Sequence, residues 1–426
     1  MHLKSALALL ALCASTVFAQ DRVCQPQPCG LIDVCSQNLV TGSGGLTVSC
    51  TGTGNSRAIT ISNVSLINPQ AGLLWVEATG NVTISSITID APAVTGLQVL
   101  QLSVRRRLGT EFSILDLGSV SCTSSTNFII STIDVQGSIS GTVVADSINF
   151  VRAEQDISGT IQSDGSSLFP GAIGTVLSLF GNITGTIQAR NQVDLIRANN
   201  GTIGTPGSLA QIRTGTQINE ISARAVYSNI NNQFFPPVDS GVLYLRTTNG
   251  PFVGQMLARQ IETTVANPSG LDIAGPLDAD IILGTLSGSP GKIEEPVFVR
   301  GGFAAGRTIE CKGITSQIIF NRENNPANTI AGTIEINGWN VSPLPYYNQT
   351  RSAIGGGSIG LVPFMVHYAE STPSAPFNQP GVPTCGFHAT GSARTTITLE
   401  HYGRVGFRNG TQWVSQPPAN TIGVTV

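Results

Sequence analysis

Ser138-Ile139-Ser140-Gly141-Thr142-Val143-Val144-Ala145-Asp146 returns 18 residues later as Asp156-Ile157-Ser158-Gly159-Thr160-Ile161-Gln162-Ser163-Asp164. It returns again, 26 residues further on, as Asn182-Ile183-Thr184-Gly185-Thr186-Ile187-Gln188-Ala189-Arg190. The two offsets differ by 8, the size of a loop, and Ser166-Ser167-Leu168-Phe169-Pro170-Gly171 has the composition of one. A period near 20 residues with strand-like alternation marks a solenoid, in which a turn buries its apolar side only when neighbours stack on it. Side chains of a strand alternate between faces, so Ile139, Gly141, Val143 and Ala145 share the inward side with their counterparts in the other copies. Glycine inside each copy predicts close backbone approach between coils. Ser140, Thr142 and their equivalents then form outward columns of hydroxyls.

A second phrase follows the first: Ile148-Asn149-Phe150-Val151-Arg152-Ala153, Val193-Asp194-Leu195-Ile196-Arg197-Ala198 and Ile218-Asn219-Glu220-Ile221-Ser222-Ala223. Its third position accepts Phe, Leu or Glu and so is not core; the bend between two sheets is expected there. Each coil thus carries at least two short strands, with Gly, Asn and Asp at the corners. Strand-like phrases flank this block at Ala58–Leu66, Asn81–Ile89, Gly313–Phe320 and Gly332–Ile336. At about 22 residues per coil and about 4.8 Å per stacked strand, roughly 14 coils make a rod near ~70 Å long.

The N-terminus has the form of a cleaved export signal: a basic start through Lys4, an apolar run from Ser5 to Ala14, and Val17-Phe18-Ala19 before Gln20. The apolar run is too short to span a bilayer. Leu12 before Cys13, where a small residue is required, argues against lipidation at that cysteine. The expected organisation is a signal peptide over 1–19, a cysteine-rich N-terminal cap over 20–50, a parallel β-helix over 51–340, and a C-terminal cap or small β module over 341–426. The last boundary follows a shift in composition toward Pro343, Pro345, Tyr346-Tyr347 and Gly355-Gly356-Gly357. Solenoid ends need such caps against edge-to-edge growth.

Only 11% of residues are charged, against about 25% in an average soluble domain. Without Lys4 the chain has 21 basic and 25 acidic residues, which gives no grip on a phosphate backbone; nucleic acid is not an expected partner. Apolar content of 41%, mostly Ile, Val and Leu in short alternating runs, is that of an all-β protein with an ample core. Seven cysteines remain beyond Cys13. Cys24, Cys29, Cys35 and Cys50 crowd together and are expected to form at least one disulfide, while Cys122, Cys311 and Cys385 are scattered. The crowded four lack a Cys-x-x-Cys pair, which argues against zinc. These features place the protein outside the cell or in a periplasm.

The Ile-Ser/Thr-Gly-Thr-Ile copies, together with Gly313-Ile314-Thr315-Ser316-Gln317-Ile318-Ile319-Phe320-Asn321 and Gly332-Thr333-Ile334, resemble the right-handed parallel β-helix repeat proteins exported by bacteria. The tract Gly355–Phe364 and the ending Thr395–Phe407 carry the same resemblance. It implies fold and export, and no reaction. Bactofilin-like solenoids share the short period but lack an export signal.

Candidate chemistry is sparse. Glycoside hydrolysis needs two carboxylates about 5–10 Å apart; Asp146 and Asp164 occupy equivalent positions one coil apart, though Arg190 takes that place in the third copy. A lyase needs carboxylates around calcium beside a basic residue, and the nearest grouping is Asp272, Asp278 and Asp280 with Arg259 upstream. Both sets read more simply as solvated turn or column charges, so no catalytic residue or cofactor is assigned, calcium being the one metal with any candidate ligands. His367, His388 and His401 have spacings that fit no local zinc pattern, and no Gly-x-Ser-x-Gly elbow occurs. Arg105-Arg106-Arg107 is the one basic run and, with Tyr346-Tyr347, a candidate glycan contact; Trp75, Trp339 and Trp413 offer further rings. Seven Asn-x-Ser/Thr sequons, Asn63, Asn182 and Asn348 among them, matter only in a glycosylating host. Two functions fit: a structural or adhesive exported solenoid presenting Ser/Thr/Asn faces to a glycan or surface matrix, or a polysaccharide lyase or hydrolase on the same scaffold. No membrane span is expected, and the oligomeric state is left open.

Overall fold

The structure is a computed structural model that describes residues 23–26, 29–37, 40–41, 47–62, 64–65, 72–90, 98–107, 115–123, 127–166, 169–232, 241–261, 270–284, 291–311, 313–314, 317–320, 328, 333–337, 353–356, 364–369, 386–389, 397–401, 404–405, 407–409 and 412–414. Among these, strands alternate along the chain between two long sheets, fifteen-stranded sheet I and sixteen-stranded sheet II, with three two-stranded pairs beside them. Thr142–Ala145 belongs to sheet II, Ser147–Ala153 to sheet I, Thr160–Ser163 to sheet II and Ile173–Ser178 to sheet I. Each strand pairs in parallel with its counterpart one coil away, as a β-solenoid requires.

The repeated phrases stack residue on residue. Thr142 pairs with Thr160 and Thr160 with Thr186, so the offsets of 18 and 26 are single coils without and with the loop, respectively. Inward, Val143, Ile161, Ile187, Ile212, Ile230, Met256, Ile281 and Ile309 form one continuous buried column. Ile139, Ile157, Ile183, Ile203 and Val226 form a second through single bridges. Burying each such side chain contributes about 1.5–3 kcal/mol, which no isolated coil could obtain.

Glycine sits between these columns because the backbones touch. A Cβ on Gly159 would lie 1.9 Å from the Gly141 carbonyl oxygen, and one on Gly185 would lie 1.8 Å from that of Gly159. The first residue of each phrase is polar for a separate reason: Asn182 N–H donates to Asp156 Oδ1 (2.6 Å), and Thr202 N–H to Asn182 Oδ1 (2.8 Å). These side chains take up backbone donors at the corner where the chain passes from sheet I to sheet II.

The second phrase departs from expectation. Its third position is indeed outward, and Phe150, Thr175, Leu195, Glu220 and Tyr244 stack there. Yet the bend does not separate two sheets: Val193–Ala198 remains one strand of sheet I, with Asp194 and Leu195 both facing out between buried Val193 and Ile196. Two successive outward residues kink the strand within its sheet, so the corners lie outside the phrase.

At the N-terminal end pairing turns antiparallel. Ile32–Gln37 runs against Gly72–Ala78 in sheet I, and Thr47–Thr51 against Ser56–Ser62 in sheet II. The Cys29–Cys50 disulfide, with a Cα–Cα distance of 5.8 Å, ties these segments together. Cys35 is disulfide-bonded as well, and in the antiparallel pair of Val23–Pro26 with Ile32–Gln37 its register partner is Cys24. Cys122 and Cys311 are in no disulfide, and Cys385 lies outside the described residues. Parallel pairing continues past residue 340, through Ala353–Gly356 and Gly386–Ala389 in sheet I and Phe364–Ala369 and Ile397–His401 in sheet II.

Candidate functional site

The feature that stands out is the outer face of sheet II. One column runs Ser86, Ser119, Thr142, Thr160, Thr186, Gln211, Asn229, Gln255. Two residues along each strand a second runs Thr88, Ser121, Val144, Gln162, Gln188, Arg213, Asn231, Leu257. The buried column between them fixes this spacing, since alternate residues must face out. Over these eight strands the two columns hold a single charged residue, Arg213. Hydroxyls and primary amides both donate and accept hydrogen bonds, so the face offers a repeating two-way array with one charge in it. The repeat copies showed its serines and threonines and, in Gln162 and Gln188, its first amides; the continuation through Gln211, Asn229 and Gln255 lies where no copied phrase gives the register.

Over the same coils charge falls mainly on sheet I, where most of it is paired. Asp134 stacks on Arg152, whose guanidinium forks onto both carboxylate oxygens at 2.8 and 2.9 Å. Arg197 meets Glu220 on the next strand, and Asp272 lies between Arg246 (4.0 Å) and Arg300 (3.5 Å). The basic run is engaged throughout: Arg105 with Asp134 (4.0 Å), Arg106 with Glu154 (3.4 Å) and Arg107 with Asp33 (3.1 Å). Trp75 lies outward on the same sheet; Tyr346, Tyr347 and Trp339 lie outside the described residues.

The acidic grouping weighed as a lyase site does not come together. Asp272 is on sheet I, whereas Asp278 and Asp280 are on sheet II, so the fold separates them. Arg259 is buried, 1% exposed, and donates from Nη2 to the Gly215 carbonyl oxygen at 3.2 Å. Arg307, one coil on, bridges the pair instead, with Nε 2.7 Å from Asp278 Oδ1 and Nη1 3.3 Å from Asp280 Oδ2. The hydrogen bond to Asp278 raises the Arg307 pKa further. Asp280 also accepts the Thr308 N–H at 2.9 Å. Asp146 and Asp164 do stack one coil apart, but each has its own task. Asp146 Oδ2 accepts the Phe128 N–H at 2.8 Å, and Asp164 accepts from Gln162 Nε2 at 2.7 Å. Asp194, which the sequence reading did not single out, is half-buried beneath Gln192 (3.0 Å) and Asn219 (2.8 Å). Burial raises its pKa against the opposing effect of those two hydrogen bonds.

Glu335 and Glu400 are the register neighbours of His367, whereas His388 is on sheet I. Among the described residues no three His, Cys, Asp or Glu side chains gather as a metal-ligand set, and no helix is long and apolar enough to cross a membrane. The disulfide and the lack of such a helix are compatible with an extracellular protein. The chain matches no family model, no curated protein and no solved structure.

Proposed function

We propose that this protein is an exported, adhesive β-solenoid that holds to a glycan or surface matrix through the outer face of sheet II. The observation that supports this reading is the pair of columns across eight coils, mostly Ser, Thr, Gln and Asn with Arg213 as the single charge, beside a sheet whose arginines meet carboxylates. A rigid scaffold that repeats one polar motif at every coil offers many weak contacts in a line, and such contacts add through effective concentration. In this reading residues 1–19 direct export, the antiparallel N-terminal strands and the segment beyond 341 close the two ends, and the coil is right-handed, the hand adopted by almost all parallel crossovers.

Co-sedimentation of the mature chain with insoluble cell-envelope and matrix polysaccharide tests the proposal. Retention in the pellet, reduced when Thr160 and Thr186 are both replaced by Glu, is the expected result. A chain left wholly in the supernatant would end this reading.

A further inference from the structure

We infer that the ligand of the sheet II face is a neutral polysaccharide, lying along the solenoid axis across the coils from Ser119 to Gln255. This deepens the adhesive reading and rests on it. The face excludes other partners by its chemistry. An anionic polymer is held by clusters of Lys and Arg and by the release of its counterions; the two columns offer Arg213 alone, and the arginines of sheet I are committed to Asp134, Glu154, Glu220 and Asp272. A protein partner would favour an interface enriched in Tyr, Trp, Phe, Met and Arg and poor in Ser, whereas these columns are Ser, Thr, Gln and Asn at every position but Val144, Arg213 and Leu257. A neutral glycan presents hydroxyls that both donate and accept, the same property as the side chains facing it.

Geometry favours the axial direction. Along one column the partners recur once per coil, about every 4.8 Å, in unbroken register from Thr142 to Gln255. Across the strands the array is about three positions wide in the repeat copies, Ser140, Thr142 and Val144 with their counterparts, before charges begin at the corner with Asp146, Asp164 and Arg190. A chain laid across the strands would run into those charges after a few contacts; one laid along the axis meets Arg213 as the single charge of the two columns.

Affinity electrophoresis and pull-down of the mature chain test this, with mixed-linkage β-glucan and cellulose as neutral probes and polygalacturonate and alginate as acidic ones. The neutral probes should retain the protein, with little change between about 50 and 500 mM salt. Gln188→Glu with Asn229→Asp, nearly isosteric and outward, should weaken retention about tenfold or more while the thermal midpoint is kept. Arg152→Gln with Arg197→Gln on sheet I should leave retention unchanged. The inference is overturned if only acidic probes bind, if salt abolishes binding, or if the sheet I variant is the one that fails. It is overturned equally if no neutral probe binds while matrix sedimentation succeeds, a result that would leave the broader adhesive reading standing.

Discussion

Asp194 shows how a single carboxylate can cost this fold stability. Burial raises its folded pKa above the ordinary 3.8, so the folded chain binds its proton more tightly than the unfolded chain does. The proton-linked stabilisation is complete below 3.8 and is lost as pH rises through the raised value. Asp194→Asn, which resembles the protonated side chain, should therefore raise the melting temperature at pH 7, and the gain should shrink as the pH approaches 4. Melting curves of both forms across that range check it; a variant less stable than the parent at pH 7 would show that the hydrogen bonds from Gln192 and Asn219 outweigh the burial. Glycines give a sharper contrast. Gly159→Ala drives a methyl group into the Gly141 carbonyl and should cost about 1–3 kcal/mol or more. At Gly207, on an exposed turn, an added Cβ meets nothing within 4 Å, and Gly207→Ala should leave stability within about 0.5 kcal/mol. The glycine column was legible because the sequence repeats it literally. Arg307 was not: its partners Asp278 and Asp280 lie a full coil upstream, across a stretch where no phrase repeats to give the register.

At the scale of strands, the first phrase could be read in full because each copy carries a clean in–out alternation. The second could not, since two consecutive outward residues such as Asp194 and Leu195 look the same in sequence whether a strand kinks or ends. The N-terminal antiparallel strands were visible only as a crowd of cysteines; neither their direction nor their partners follows from spacing. Their stability is predicted to depend on the Cys29–Cys50 bond, which closes a sequence separation of 21. Cross-linking a loop of that size stabilises by about 3 kcal/mol in the chain-entropy picture. Cys29→Ser with Cys50→Ser should speed amide exchange in Thr47–Thr51 and Ser56–Ser62 by one or more orders of magnitude and leave Thr186–Ala189 unchanged. Uniform acceleration along the whole chain would mean that the coils unfold as one unit.

Among the described residues the core is one buried cluster, built of columns that pass from coil to coil. Ile161→Ala removes one link and should cost about 2–5 kcal/mol. In a one-dimensional array the damage stays near the lesion, so exchange should rise first between roughly residues 139 and 189 and only later at the ends. The same linear order that made the architecture readable from three copies hid the face it builds. A column drawing one residue from every coil has no continuous sequence, and its chemistry emerges only once the register is known.

That nearest-neighbour order also governs how the chain comes into being. In the two long sheets each strand from Gly72–Ala78 to Ile397–His401 pairs with a strand already made earlier in the chain, and the template for the first of them is stapled at Cys29–Cys50. Synthesis delivers the N-terminal part first, so every new coil meets a finished edge within reach of a few tens of residues. No segment has to wait for a distant partner. The growing tip therefore remains one exposed edge, advancing with the chain, and folding can keep pace with delivery instead of beginning when delivery ends.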